Sequence, residues 1–337
     1  MIKVALLSPI AWSTPPARYG PWEQVVSNIA EGLSGHDVDV TLFATGNSVT
    51  RGKLRFVADD GYAENPGRDP KVWECLHISQ VMEQAGQFDV IHNHFDFLPL
   101  TYSRLIPTPM VTTIHGFSSP AIVPVYKKYN ADNFYVSISH ADRHPELDYL
   151  ATVHNGLHTA DFTYRKSPGD YLLFFGRIHP EKGTLEAIEI AKLAGKPIVV
   201  CGLIQDETYF QQKILPLVNG KDVVFRENAG PRERDQLLGE ALALLHPIRF
   251  REPFGLSVAE AMMCGTPVIA FNLGAMPELI VNGKTGFLVH TVEEAAAAVG
   301  RLHTLRREDC REWAVAHFSR ETMAAKYLRV YGQILGR

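Results

Sequence analysis

Short apolar runs alternate with longer stretches of helical periodicity along most of the chain. In the first half the runs KVALLS (3–8), VDVTLFA (38–44), FDVIHNHF (88–95), MVTTIHG (110–116) and FYVSIS (134–139) read as strands. Between the first two, Val25, Val26, Ile29 and Leu33 fall on one face of a helix from Trp22 to Leu33, which Gly35 closes. The second half repeats the theme with YLLFFG (171–176), PIVVCG (197–202), DVVFRE (222–227), ALALLHP (241–247) and TPVIAFN (266–272). Helical patterns lie between these runs, among them Leu185–Ala194 and Leu256–Cys264. Strand, helix and strand in this order call for a parallel sheet covered on both faces, so the fold class is α/β with two Rossmann-like domains.

The segment FTYRKSPGD (162–170) is polar, carries a Pro-Gly pair and reads as the interdomain linker. It divides the chain into domains 1–162 and 170–319. The helical tail from Arg320 to Leu335 suits either domain by pattern alone, completion of the first by residues 320–337 being one of the two options. Two α/β domains of similar size imply a cleft bounded by the carboxyl ends of both sheets, where open α/β sheets bind ligands.

Composition narrows the function classes. The 337 residues are 46% hydrophobic and 21% charged, with net charge −4, so nothing points to nucleic acid as a partner. Up to Arg165 there are 12 basic and 17 acidic residues (−5), and afterwards 21 and 20 (+1). The first half therefore lacks the basic excess that favours an anionic membrane surface. No apolar stretch approaches the roughly 18–20 residues of a transmembrane segment. The start MIKVALLSPIAW reads as a strand rather than a signal peptide, and cytoplasmic is the default location. Cys75, Cys201, Cys264 and Cys310 are far apart and form no disulfide framework.

Two segments carry the chemistry. In FFGRIHPEKG (174–183) a strand gives way to a helix, and Arg177 and Lys182 bracket a turn containing Gly176, Pro180 and Gly183. Two cations and nearby backbone amides can converge there on one anion, as a diphosphate requires. The plain alternative is a solvated basic turn. In REPFGLSVAEAMMCGTPVIAF (251–271), Glu252 precedes the helix start near Leu256, and Glu260 lies on its first turns. Were the segment helical throughout, the carboxylates would stand about 12 Å apart, too far for a glycosidase pair acting on one bond. Each can instead grip a different hydroxyl-bearing part of one extended ligand, with the cations between them. The plain alternative makes Glu260 an ordinary helix acid and Glu252 a surface charge.

Together these segments resemble the retaining glycosyltransferases of family 4, which have the GT-B fold. The matching features are G-R-x4-K-G at Gly176–Gly183, E-x7-E across EPFGLSVAE, and GAMPELIVNGKTGFLV (274–289) downstream. The stretch RYGPWEQVV is similar to the avilamycin branch of that family. The resemblance implies that Arg177 and Lys182 bind the donor diphosphate and stabilise the departing charge. It assigns the ribose hydroxyls to Glu260, the transferred sugar to Glu252, and further donor contacts to the backbone amides of Phe254, Gly255 and Leu256. From the first domain, Gly20 would let a loop approach the diphosphate and His115 would meet the donor sugar. The donor would be a UDP- or GDP-linked nucleotide-sugar acting as substrate, with no cofactor and no metal. The acceptor would be a small molecule, a glycan or a lipid-linked compound. Alternative readings are a sugar-nucleotide epimerase, a phosphorolytic enzyme on the same fold, or a non-catalytic nucleotide-sugar binding protein.

Three positions depart from the family pattern: Pro21 follows Gly20 where a second glycine is frequent, Glu227 replaces a glycine, and His158 replaces an aspartate. Pro21 has no N–H to offer. Two metal-like motifs are set aside. HNHFDF (92–97) lacks the closing histidine of the metallo-hydrolase signature, leaving His92, His94 or Asp96 at a strand end. Asp37-Val38-Asp39 opens a strand rather than ending one and reads as a solvated turn. Tyr19 and Trp22 flank the first loop and can stack on a sugar, or Trp22 can cap its helix against the core.

Overall fold

A computed structural model of the protein describes residues 1–117 and 119–336. Residue contacts divide it into two compact units. One runs from Met1 to Gly156 and resumes at Arg320; the other is Leu157–Ser319. Arg337, at the end of the tail, lies outside the described residues.

The first unit contains β1 (Ile2–Leu7), α1 (Pro21–Leu33), β2 (Val38–Phe43), β3 (Lys53–Arg55), α2 (Pro70–Glu83), β4 (Val90–Asn93), β5 (Met110–Ile114), α3 (Val123–Lys128), β6 (Phe134–Ser137) and β7 (Tyr149–Thr152). Its seven strands are parallel, in the order β3-β2-β1-β4-β5-β6-β7. Successive residues of a strand point to opposite faces. Ile91 of β4 joins Leu7, Phe43, Val81 of α2 and Tyr126 in one core layer. His92 points the other way.

The second unit contains β8 (Leu172–Phe175), α4 (Thr184–Leu193), β9 (Ile198–Gly202), α5 (Glu207–Tyr209), β10 (Val223–Glu227), α6 (Pro231–Glu240), β11 (Ala243–His246), α7 (Leu256–Met263), β12 (Val268–Phe271), α8 (Met276–Leu279), β13 (Gly286–Val289), α9 (Val292–Val299) and α10 (Arg307–Phe318). Six parallel strands are ordered β10-β9-β8-β11-β12-β13. Phe174, Val200, Leu245 and Ile269 pack with Ala187 and Ile190 of α4 and Ala298 of α9. The strand order reverses between β8 and β11. Open sheets of this kind bind ligands at such a switch point, beyond the carboxyl ends of the strands.

The tail forms α11 (Arg320–Ile334) and belongs to the first unit, where it packs on α1. A Cβ on Gly32 of α1 would lie 3.0 Å from Ala324 Cβ, so the two helices touch closely. Residues 162–170 are not a free linker: they are stitched to the second unit. Thr163 N–H donates to Asp235 (2.7 Å), Arg165 N–H to the Cys264 carbonyl (3.1 Å) and Gly169 N–H to the Glu240 carbonyl (2.6 Å). Their polarity reflects these partners rather than freedom. The chain passes from one unit to the other at Gly156–Leu157 and returns at Ser319–Arg320.

Candidate functional site

The switch point of the second unit is where its charged motif residues gather. β8 is followed by Gly176, packed so closely on β9 that a Cβ on Gly202 would sit 1.7 Å from the Gly176 carbonyl oxygen. The following turn, Pro180–Lys182, ends in Gly183 at φ 74°, where a Cβ would meet the Pro247 carbonyl at 1.9 Å. Only glycine allows both that conformation and that approach. The Arg249 amide donates to the Glu181 carbonyl (2.8 Å), tying this turn to the segment leaving β11. That segment carries Glu252. Lys182 Nζ reaches Glu252 Oε2 at 2.5 Å and lies over the Phe250 ring at 4.7 Å.

Glu252 is fixed from behind as well. Ala275 N–H donates to its carbonyl (2.9 Å), and Gly274 at φ 62° packs so tightly that a Cβ there would be 2.4 Å from the Glu252 nitrogen. The glycine of GAMPEL thus positions the carboxylate. Both members of the Lys182–Glu252 pair are nearly buried, with side-chain exposures of 14% and 11%. Burial by itself would raise the Glu252 carboxyl, but His246 and the Lys182 ammonium outweigh it and bring it down to about 2. His246, the last residue of β11, places Nε2 3.7 Å from the same Oε2, beyond hydrogen-bond length, and that nitrogen has no hydrogen-bond partner. Burial pushes its imidazolium below the ordinary range, against an upward pull from Glu252.

The other motif residues are held separately. Arg177, half-buried, donates to the Gln205 amide oxygen. Glu260 lies buried on α7 and pairs with Arg234 of α6 at 3.2 Å. Phe254 is buried edge-on against Phe318, and Gly255, at φ 94°, precedes α7. Gly255, the N-cap, has no side chain to cap the first turn of α7, which begins at Leu256. The expectation of two cations lying between two carboxylates is corrected: Lys182 sits directly on Glu252, and the cation on Glu260 is Arg234. Sequence reasoning missed Arg234 and His246. No spacing signals Arg234, which meets Glu260 only through helix packing; His246 stood in view at the end of an apolar run beside EPFG.

In the first unit, Gly20 (φ 149°) precedes Pro21, the first residue of α1, and a Cβ on it would meet Pro16 Cβ at 2.8 Å. Pro at this position loses no hydrogen bond of the helix. Trp22 stacks on His115 with ring centroids 5.5 Å apart. His115 Nε2 lies 2.9 Å from His94 Nδ1. His92 bonds through Nδ1 to the Tyr331 hydroxyl (2.7 Å) and through Nε2 to Thr113 (2.8 Å), which also bonds Tyr327 (2.9 Å). Burial holds His115 down to about 3 and pushes His92 and His94 well below the usual histidine range. Among the described residues, no group of three or more His, Cys, Asp or Glu is arranged to hold a metal ion. Asp39 of the D-x-D pair bonds Lys53 at 2.8 Å, and Asp37 lies 3.1 Å from the chain's own amino terminus. His158 bonds Asp161 at 3.0 Å in a turn, and Glu227 is exposed at the end of β10. Cys75 is exposed, and Cys201, Cys264 and Cys310 are buried free thiols.

A cavity of about 660 Å³, lined by Leu242, Pro267, Val299, Leu302 and Arg306, opens where β11 and β12 begin. It lies at the amino ends of the strands, the wrong end for the charged motifs. No helix among the described residues is long and apolar enough to cross a membrane.

Comparison with known proteins bears on this geometry. The family profile described as Glycosyltransferase Family 4 matches residues 22–169, and that of Glycosyl transferases group 1 matches 161–316. A glycogen synthase of Mycobacterium tuberculosis is 26% identical, over 96% of this chain and 93% of that protein. An uncharacterised 41.2 kDa protein from the cps region of Klebsiella pneumoniae is 31% identical over 48% of the chain, which spans about half (45%) of that relative's length. The solved structure of AviGT4, a glycosyltransferase involved in avilamycin A biosynthesis, superposes with a TM-score of 0.76 at 24% identity, covering 100% of this chain and 98% of that one. With both family modules in sequence and a parallel sheet in each unit, the chain belongs to the family 4 glycosyltransferases of GT-B fold.

Proposed function

We infer that the protein transfers a sugar from a nucleoside-diphosphate donor to an acceptor hydroxyl, with retention of anomeric configuration and without a metal. The observation that carries this reading is the Lys182–Glu252 pair at the switch point of the second sheet, with Arg177 on the adjoining loop. Lys182 and Arg177 are the groups suited to the diphosphate. The charge that accumulates on phosphate as the sugar bond breaks is stabilised by fixed cations at no cost of reorganisation at that moment. Two such cations supply the charge that a metal would otherwise bring. Glu252, held deprotonated, is suited to accept hydrogen bonds from sugar hydroxyls, and Glu260 from the ribose. The amides at Phe254, Gly255 and Leu256 add donors at a helix start, where anions are favoured. Retention rests on the family resemblance. So do the donor, UDP- or GDP-linked, and the acceptor class of small molecule, glycan or lipid-linked compound.

Isothermal titration with UDP, GDP and ADP tests the donor site: at least one should bind tighter than millimolar, and failure of all three sinks the reading. NMR of the product anomer, formed in the presence of a chelator, then tests retention and metal independence together. An inverted product, or activity abolished by the chelator, would overturn those two parts separately.

A further inference from the structure

Resting on the donor-site reading above, the inference concerns what happens to Glu252 when Lys182 turns to phosphate. Lys182 Nζ and His246 Nε2 approach the same oxygen, Oε2, at 2.5 and 3.7 Å. A diphosphate competes with this carboxylate for the Lys182 ammonium, and full transfer of that charge breaks the 2.5 Å contact. Once it leaves, Glu252 remains buried without its ammonium partner, and a buried charge stranded in this way is strongly disfavoured. One unsatisfied group stands ready. His246 Nε2 is buried, lacks a hydrogen-bond partner, and is less than an ångström beyond bonding length.

We propose that His246 is a positioning residue that takes over Oε2 of Glu252 when the donor diphosphate draws Lys182 away. The neutral ring donates Nε2–H to Oε2, the carboxylate stays anchored with its other oxygen available for the sugar, and Lys182 is released to the phosphate. No proton is transferred and no bond is broken; one partner of the carboxylate replaces another. The orphaned nitrogen is thereby explained as a contact made only in the loaded enzyme.

The test is a double-mutant cycle read by UDP titration on the full chain, with melting temperature recorded for every variant. His246→Leu should weaken UDP binding by about tenfold or more, because releasing Lys182 then leaves Glu252 without a partner. His246→Gln, which keeps a donor, should restore most of the loss. In a Glu252→Gln background no carboxylate is stranded, so adding His246→Leu should leave UDP affinity unchanged. A merely structural histidine would instead lower the melting temperature and cost the same affinity in both backgrounds. Either that equal loss, or wild-type affinity in His246→Leu, overturns the proposal. Absence of UDP, GDP and ADP binding by the unmodified chain would instead overturn the donor-site reading, and the exchange of partners with it.

Discussion

Each unit buries a polar cluster beside its sheet, and the two are built on opposite principles. The first unit joins neutral groups: His115, His94, His92, Thr113, Tyr327 and Tyr331 are linked by hydrogen bonds and ring contacts. Five of these six are almost wholly covered, and burial keeps the three histidines uncharged. The second unit buries charge: Lys182, Glu252 and, one helix away, Arg234 with Glu260. A neutral network linked in this way rigidifies its surroundings, although His94 Nε2 within it has no hydrogen-bond partner. A buried ion pair with a third group nearby is a weak contributor to stability but can change partners. The contrast sets a neutral cluster built into the fold apart from a charged one that the proposed function assigns to the donor.

Acid should separate them most widely. His77, His92, His94 and His115 of the first unit are all depressed from 6.5, to about 4 for His77 and about 3 for His115. The unfolded chain takes up protons at these sites near pH 6.5 while the folded unit does not, so stability is lost as pH falls below that value. Glu23, buried on α1 and pushed up to about 7, opposes this by gaining a proton in the fold first. Glu74, also raised by burial, acts in the same sense as Glu23, but the four histidines outnumber these two carboxyls and the first unit should lose stability on balance as pH falls from 6.5 towards 5. In the second unit burial lowers His246. Glu252, lowered from 4.5 to about 2, gives up its contribution only below pH 4.5. Hydrogen exchange followed by mass spectrometry from pH 7 to 4 should show the first unit opening before the second; simultaneous opening would erase the distinction.

Lys182→Ala should lower kcat by about 10²–10³-fold at saturating donor, because its contact strengthens as the leaving group forms. A change confined to KM would move Lys182 from chemistry to binding. Gly274→Val should cost about 3 kcal/mol in thermal melting, given a φ of 62° and backbone atoms within 2.5 Å of the added Cβ. Tyr331→Phe, which strips the partner from His92 Nδ1, should cost about 1–3 kcal/mol in stability with kcat retained. Loss of turnover without loss of stability would mean that the neutral cluster serves chemistry after all. Smallest is Glu260→Ala, expected to raise donor KM by about tenfold while changing kcat less. Steady-state kinetics in donor concentration decides that.

Much of the sheet was legible because buried parallel strands are continuous apolar runs: MVTTI and VVCG fall where they were read. Three strands escaped, all at sheet edges: β3 and β7 alternate between exposed and half-covered residues, so no run marks them, and β13 is a short run of four residues opened by a glycine. α2 escaped because it segregates few apolar residues to one face and is partly exposed. In the site, motifs identified Lys182 and Glu252 but gave no hint of their direct contact, which the glycine approaches at Gly183 and Gly274 create. Arg234 was invisible because helix packing, not spacing, brings it to Glu260. Trp22, a sugar platform or a core cap by sequence, has its ring stacked on His115, a contact that no spacing signals.

The placement of α11 has a consequence for how the chain is made. Translation delivers every residue of the Leu157–Ser319 unit before it delivers Tyr327 and Tyr331, which the earlier unit needs. A nascent chain halted at Ser319 would carry a second unit complete in sequence and a first unit with His92 and Thr113 still awaiting their hydroxyls. Begun first, the amino-terminal unit is the last that synthesis allows to close.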